Sequence, residues 1–251
     1  MASFMLKKKF RRTFVFLVLA SLKTLGHLFY TFSISYDKQH TIDWRKIKLI
    51  AFINHTSLFD LLLVCVFPYS FLWEAAERTM TPIAEKTLKR PFVGLIFKNL
   101  NAKQFSVSQK RDSSWDSFLN AIDHQSIVAL FPEGRMARKN GLDKHGNPMT
   151  IKSGIVDILQ KQNDGCMLLV HSQGMHHIQS PGQQIPRIFQ KITIALETLT
   201  IESYKQQHDK KSFQDFSKSI IADLSKRKDD HQKSFLNKKR TPTAFPTSPR
   251  V

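Results

Sequence analysis

A single α/β domain, its mixed or mostly parallel sheet flanked by helices, is the fold class this sequence predicts, and three observations carry the prediction. Short apolar runs closed by Asn, Pro or Gly recur between stretches of helical patterning, as strands alternating with helices require. At 251 residues the chain can bury a substantial core without a disulfide or a metal. Apolar residues make up 41% of it and charged residues 23%, the balance of a globular protein and not of a disordered one.

The chain opens on a basic cluster, Lys7 to Arg12, directly ahead of the apolar stretch Thr13 to Leu22, and apolar character continues to Phe32. Lys23 and His27 interrupt that run, and a charge near mid-span is costly in hydrocarbon. Residues 1–36 are therefore expected to form a membrane-associated helical segment that lies in or dips into one leaflet. That monotopic attachment is preferred to a full crossing, and to a cleaved signal peptide because no small-residue cleavage pattern follows Leu22. The whole chain carries 38 Lys+Arg against 20 Asp+Glu, a net charge of +18, which asks for a polyanion or an anionic surface. Cationic residues beside an apolar helix suit an anionic lipid surface, so no specific nucleic acid is expected as a partner.

Residues 37–204 are expected to form the main domain. Leu49 to Ile53 reads as a strand ending at Asn54, and Ser57 with Asp60 three positions on reads as a capping box that starts a helix. Phe71 to Trp73 is taken as a short strand, Ala75 to Leu88 as a helix interrupted at Thr81 and Pro82, and Pro91 to Phe97 as another apolar segment. Further on, Trp115 to Asp123 reads as an amphipathic helix, Ile127 to Phe131 as a buried strand and Ala137 to Thr150 as a polar loop. Ile155 to Leu159 is expected to be a helix, Cys166 to Val170 a strand, and Ile188 to Lys205 a longer helix. Residues 205–237 are a basic amphipathic helix with Phe213, Phe216, Ile220 and Leu224 at helical spacing, and 238–251 a disordered tail. Cys65 and Cys166 sit inside apolar runs and read as buried reduced thiols, with no sign of an oxidising compartment.

Two segments carry chemistry. In Asn54-His55-Thr56-Ser57-Leu58-Phe59-Asp60, His55 falls between a strand and a helix cap, where a nonhelical link folds it back towards Asp60. A carboxylate there orients the imidazole and stabilises its charged form, although Asp60 also suits a purely capping role. In Phe131-Pro132-Glu133-Gly134-Arg135 a glycine turn presents an acid and an arginine at another strand end, and the arginine fork suits phosphate. A salt bridge at a surface turn is the plainer alternative for this segment taken alone. Strand-end residues of an α/β sheet converge on one crevice, so the two segments are expected to share a site. Asn54, Ser57 and Lys152 are candidate supporting residues. There is no G-x-S-x-G elbow, no G-x-G-x-x-G and no phosphate-binding P-loop pattern, which argues against an acyl-serine hydrolase and the usual nucleotide sites. His171, His176 and His177 lie together without a carboxylate or cysteine at ligand spacing, and no metal is expected.

The two segments resemble the paired N-H-x-x-x-x-D and F-P-E-G-[TR] motifs of the glycerolphosphate and lysophospholipid acyltransferase family, in the same order. The stretch Ile83 to Gly94 also resembles the lead-in to that family's second motif. The resemblance covers Leu49 to Val170 and implies an enzyme that moves a fatty acyl group from an acyl-thioester to a lipid hydroxyl. It implies His55 as general base, Asp60 as its support, and Glu133, Gly134 and Arg135 at the acceptor and phosphate region, with 1-acylglycerol-3-phosphate as the foremost acceptor. No cofactor is implied, since acyl-CoA or acyl carrier protein enters as co-substrate, with the site on the cytoplasmic side of the membrane. The sequence departs from the family twice. Phe105 to Arg111 offers Lys110 or Arg111 as the second motif's arginine only after a register slip, and no proline follows the strand Cys166 to Val170. The first departure keeps a non-phosphatidic lysolipid, such as a lysophospholipid or a lyso-aminolipid, as an alternative acceptor. The alternative outside enzymology, a basic membrane- or nucleic-acid-binding protein, accounts for the charge but not for the motifs.

Overall fold

A computed structural model describes residues 2–36, 41–84, 103–107, 112–180, 183 and 185–240. The expected helix over Glu85 to Leu88, the segment Pro91 to Phe97, the candidate residues Lys110 and Arg111 and the tail from 241 onward lie outside the described residues.

The sheet has seven strands in the order β1-β7-β6-β2-β5-β3-β4. They are β1 (Thr31–Tyr36), β2 (Ile47–Ile53), β3 (Thr79–Ala84), β4 (Lys103–Val107), β5 (Ile127–Leu130), β6 (Cys166–Gln173) and β7 (Lys191–Thr200). All neighbours run parallel except β6 and β7. The mostly parallel mixed sheet expected from the sequence is therefore what the chain builds. β2 and β5 are adjacent and in register over Leu49 to Ala51 and Val128 to Leu130, so the loops after them emerge side by side.

Alternate residues of the central strands feed two cores. On one face Leu49, Ala51, Ile53, Met167 and Leu169 pack with α3 (Ser113–Asn120), α4 (Gly154–Lys161), α6 (Ile201–Gln207) and α7 (Phe213–Arg240). On the other, Ile50, Leu168, Val170, Ile192, Ile194 and Leu196 meet a 3-10 helix (Leu58–Val66), α2 (Tyr69–Arg78) and α5 (Met175–Ile178). The central strands read as nearly continuous apolar runs because both faces are covered.

Three expectations are corrected. Ile188 to Lys205 is not a helix: it contains β7 and only then turns into α6. The β-branched Ile192, Thr193 and Ile194 fit a pleated surface, and the strand's burial comes from β1 and β6, partners remote in sequence. Phe71 to Trp73 lies within helix α2, and Thr79–Ala84 is a strand, with Pro82 accommodated near the sheet's edge. The N-terminal helix α1 (Ala2–Phe29) ends before residue 36, and Thr31–Tyr36 joins the domain as its edge strand. The basic C-terminal segment begins its long helix at Phe213, with Phe216, Ile220 and Leu224 buried as their spacing predicts and Phe213 left outside.

Helix α1 lies along the domain. Lys8 pairs with Glu77 at 2.7 Å, and Arg12 with Glu74 at 2.9 Å and Glu77 at 2.8 Å. The mid-run charge is accounted for: Lys23 Nζ donates to the Cys65 carbonyl at 2.6 Å and the Phe67 carbonyl at 2.9 Å. These carbonyls end the 3-10 helix, and Gly26 lets α1 press directly on the Cys65 thiol. Burial raises that thiol's pKa to about 12, which makes it the inert thiol its apolar run suggests. Among the described residues, the stretch Lys8–Phe29 is the one helix long and apolar enough to cross a membrane by length and composition, and it is consistent with membrane association.

Candidate active site

β2 ends at Ile53, and the next residue takes the left-handed conformation, with Asn54 at φ 71°. Asn is among the few side chains that tolerate this conformation, and its Nδ2 donates to the Ser172 carbonyl at the end of β6, 3.2 Å away. The chain thereby swings out of the sheet, and Ser57 stops it. The Ser57 hydroxyl accepts from the Phe59 N–H at 3.1 Å, and the expected capping box with Asp60 is present. Beyond that cap the chain winds into a 3-10 helix of nine residues rather than an α-helix.

The turn brings His55 onto Asp60. Nδ1 of His55 lies 2.5 Å from Asp60 Oδ2, and the same oxygen accepts from the Thr56 N–H at 3.2 Å and the Ser57 N–H at 3.4 Å. Both roles weighed for Asp60 are therefore real, and one oxygen serves both. Burial pushes the Asp60 carboxyl above its ordinary pKa, against the pull of its bonds to His55, Ser57 and Thr56. The Asp60 side chain is 3% exposed and the His55 side chain 20%, so the reachable end of the pair is the imidazole. With Nδ1–H donating to the carboxylate, Nε2 is the nitrogen left to accept a proton. The ring leans on Phe131, with centroids 4.2 Å apart.

From the neighbouring strand β5, Phe131 leads into a turn at Gly134, whose φ of 62° suits glycine and whose N–H donates to the Phe131 carbonyl at 2.9 Å. Glu133 is 1% exposed. Its Oε2 accepts from the backbone N–H of His55 at 3.0 Å, and its Oε1 pairs with Lys228 of α7 at 3.2 Å. Sequence reasoning offered Glu133 to the acceptor; the structure turns it inward to hold the histidine's backbone. Arg135 is likewise engaged. Its guanidinium pairs with Asp143 through Nη1 and reaches the Pro148 carbonyl through Nη2, stapling the adjoining loop. Backbone N–H groups of Asn147 and His145, with Arg135, hold the Asp143 carboxyl down at about 2. Lys152 is exposed beside this turn: its Cγ is 3.8 Å from where a Gly134 side chain would begin, and its N–H donates to the Pro132 carbonyl at 2.8 Å.

The structure thus gathers His55, Asp60, Asn54, Ser57, Glu133, Gly134, Arg135 and Lys152 around one sheet edge. Lys228 and the Phe131 platform were missed. The Phe131 signal was present in the motif's first letter, whereas Lys228 is one cation in a helix full of them and nothing local marks it as buried.

Of the three clustered histidines, His176 and His177 stay together on α5 with ring centroids 3.9 Å apart, and His171 separates from them. His171 is buried on β6 and meets Glu197 of β7 and His231 of α7, with both histidine Nε2 atoms 3.6 Å from Glu197 Oε2. The donor atoms of these three residues lie within 4.8 Å of one another, a set chemically suited to a transition metal. Arg227 already pairs with Glu197, however, and the two rings stack with centroids 3.8 Å apart, whereas two imidazoles splayed around one tetrahedral ion would stand about 5 Å apart. We read the cluster as a charge network tying α7 to the sheet. Burial lowers the His171 pKa against the pull of the neighbouring Glu197 carboxylate, which favours the neutral ring. The carboxyl of Glu197 is held low by His171, His231 and Arg227 despite its own burial.

An imidazole oriented by a buried carboxylate, with one nitrogen reachable from solvent, can take a proton from a hydroxyl. Comparisons with known proteins identify the family. The solved structures include a match to the crystal structure of the 1-acyl-sn-glycerophosphate (LPA) acyltransferase PlsC from Thermotoga maritima. It is 18% identical, with a TM-score of 0.52 over 86% of this chain and 80% of that one, a likeness of fold. No curated protein gives a significant match. A family model, Acyltransferase, matches residues 34–171, more than half of the 251 residues and all of both motif-bearing turns. On that match the chain belongs to the acyltransferase family and is an enzyme of acyl transfer.

Proposed function

We propose that the chain transfers a fatty acyl group from an acyl-CoA or acyl carrier protein thioester to the hydroxyl of a lysolipid, foremost 1-acylglycerol-3-phosphate. The observation that carries the reading is the 2.5 Å contact of His55 Nδ1 with Asp60. Nε2 of His55 takes the proton of the acceptor hydroxyl as its oxygen attacks the thioester carbonyl. The tetrahedral intermediate collapses with loss of the thiolate, which takes up the proton His55 carried. Asp60 keeps the ring in the productive tautomer and balances the imidazolium. Glu133 and Lys228 act as positioning residues through the His55 backbone. Gly134 and the exposed Lys152 stand at the acceptor side.

A lysolipid without the phosphate monoester is the second reading, and it rests on Arg135, whose guanidinium is already taken by Asp143. The enzyme works at an anionic membrane surface on the cytoplasmic side, supported by the apolar outward face of α1, the net charge of +18 and a donor that is a cytoplasmic thioester. Incubating the purified protein with labelled acyl-thioester and a panel of lysolipids tests both readings. Preferred labelling of 1-acylglycerol-3-phosphate supports the first, and preference for a lysolipid lacking the phosphate monoester supports the second. Labelling of no lysolipid contradicts both.

A further inference from the structure

Apolar side chains stand outward on α1 at Leu6, Phe10, Phe14, Leu17, Leu25 and Leu28, the reverse of a helix packed in water. A second exposed apolar group lies on the connection into β7: Ile185 is 81% exposed, Ile188 48% and Phe189 71%. The two groups adjoin. The Phe189 N–H donates to the Phe29 carbonyl at 2.8 Å, and the Phe29 and Phe189 rings stand 6.3 Å apart. Phe189 is held at φ 59°, a conformation that costs a bulky residue, yet its ring is not spent on the core.

Topology fixes where this rim lies. β7 runs antiparallel to β6, so its first residue, Lys191, comes level with the end of β6, where β1 also begins. That is the edge from which Asn54 and His55 emerge, two strands away or about 10 Å by strand spacing. Exposed Arg187 and Lys191 flank the apolar residues, the charge an anionic headgroup layer complements.

We propose that the connection Ile185–Phe189 is a second membrane-inserting element, which with the last turns of α1 seats the mouth of the site on an anionic leaflet. The proposal rests on attachment to a membrane surface through α1 and goes beyond it. The acceptor then reaches His55 from the leaflet without crossing water.

Flotation with phosphatidylcholine vesicles, with and without phosphatidylglycerol, tests it on the full chain. The Ile185→Asn/Phe189→Asn variant keeps a side chain tolerant of the left-handed backbone at 189 and leaves the His55 site untouched. It is expected to bind phosphatidylglycerol vesicles roughly a hundredfold more weakly, with an unchanged melting temperature and unchanged turnover of a water-soluble short-chain acceptor. Undiminished binding overturns the proposal. If a matched Phe10→Asn/Leu17→Asn variant then does lose binding, attachment through α1 stands alone; if neither variant loses it, both fall. A solution dimer that the loop variant dissociates assigns the rim to a second copy of the chain and also overturns it.

Discussion

Glu133 and His55 meet through the backbone: the buried carboxylate accepts the His55 N–H at 3.0 Å, and Lys228 neutralises its other oxygen at 3.2 Å. An acid on β5 and a lysine on the C-terminal helix therefore fix where the imidazole begins. Removing Lys228 leaves Glu133 buried and unpaired, so Lys228→Ala should cost about 3–5 kcal/mol of stability in urea denaturation. Lys228→Ala with Glu133→Gln should recover much of that loss, and an additive double variant would show that the pair is not coupled.

Asp60→Asn keeps the shape and removes the charge that selects the tautomer. Turnover should fall roughly 10²–10⁴-fold while substrate KM stays within a few fold. If KM rises and kcat holds, Asp60 is only a helix cap.

His171 supplies a stability signal of definite sign. Its folded pKa is lowered, so the unfolded chain takes up the proton first and stability falls as pH drops through about 6.5. The contribution is fully present above that value. Melting temperatures of wild type and His171→Gln should converge as pH falls from about 7 to 5. A gap that widens towards acid would mean the ring is charged in the fold.

Arg135 is bound within its own loop, so Arg135→Ala should lower activity towards phosphorylated and unphosphorylated acceptors alike. A loss confined to phosphorylated acceptors would restore Arg135 to the phosphate. The Lys152→Ala variant is expected to show that selective loss, read as KM across the same acceptors.

Much of this was legible locally. The capping box at Ser57 and Asp60 is a pattern of adjacent residues, and the strand ends at Asn54 and Phe131 are marked by the polar and Pro-Gly residues that close them. What failed depends on partners distant in the chain. The run through Ile192, Ala195 and Leu196 contains good helix formers, and it is a strand because β1 and β6 complete it. Thr31–Tyr36 looked like the end of an apolar helix until β7 paired with it. Arg135 and Glu133 have the right chemistry for a ligand, but Asp143 and Lys228 claim them, and no spacing rule announces that.

The most direct test is acyl transfer by purified His55→Ala, assayed with labelled acyl-thioester and the acceptor the wild-type enzyme prefers. Loss of at least about a thousandfold in kcat, with an unchanged melting temperature, is the predicted result. Transfer at the wild-type rate by the folded variant would contradict a histidine base.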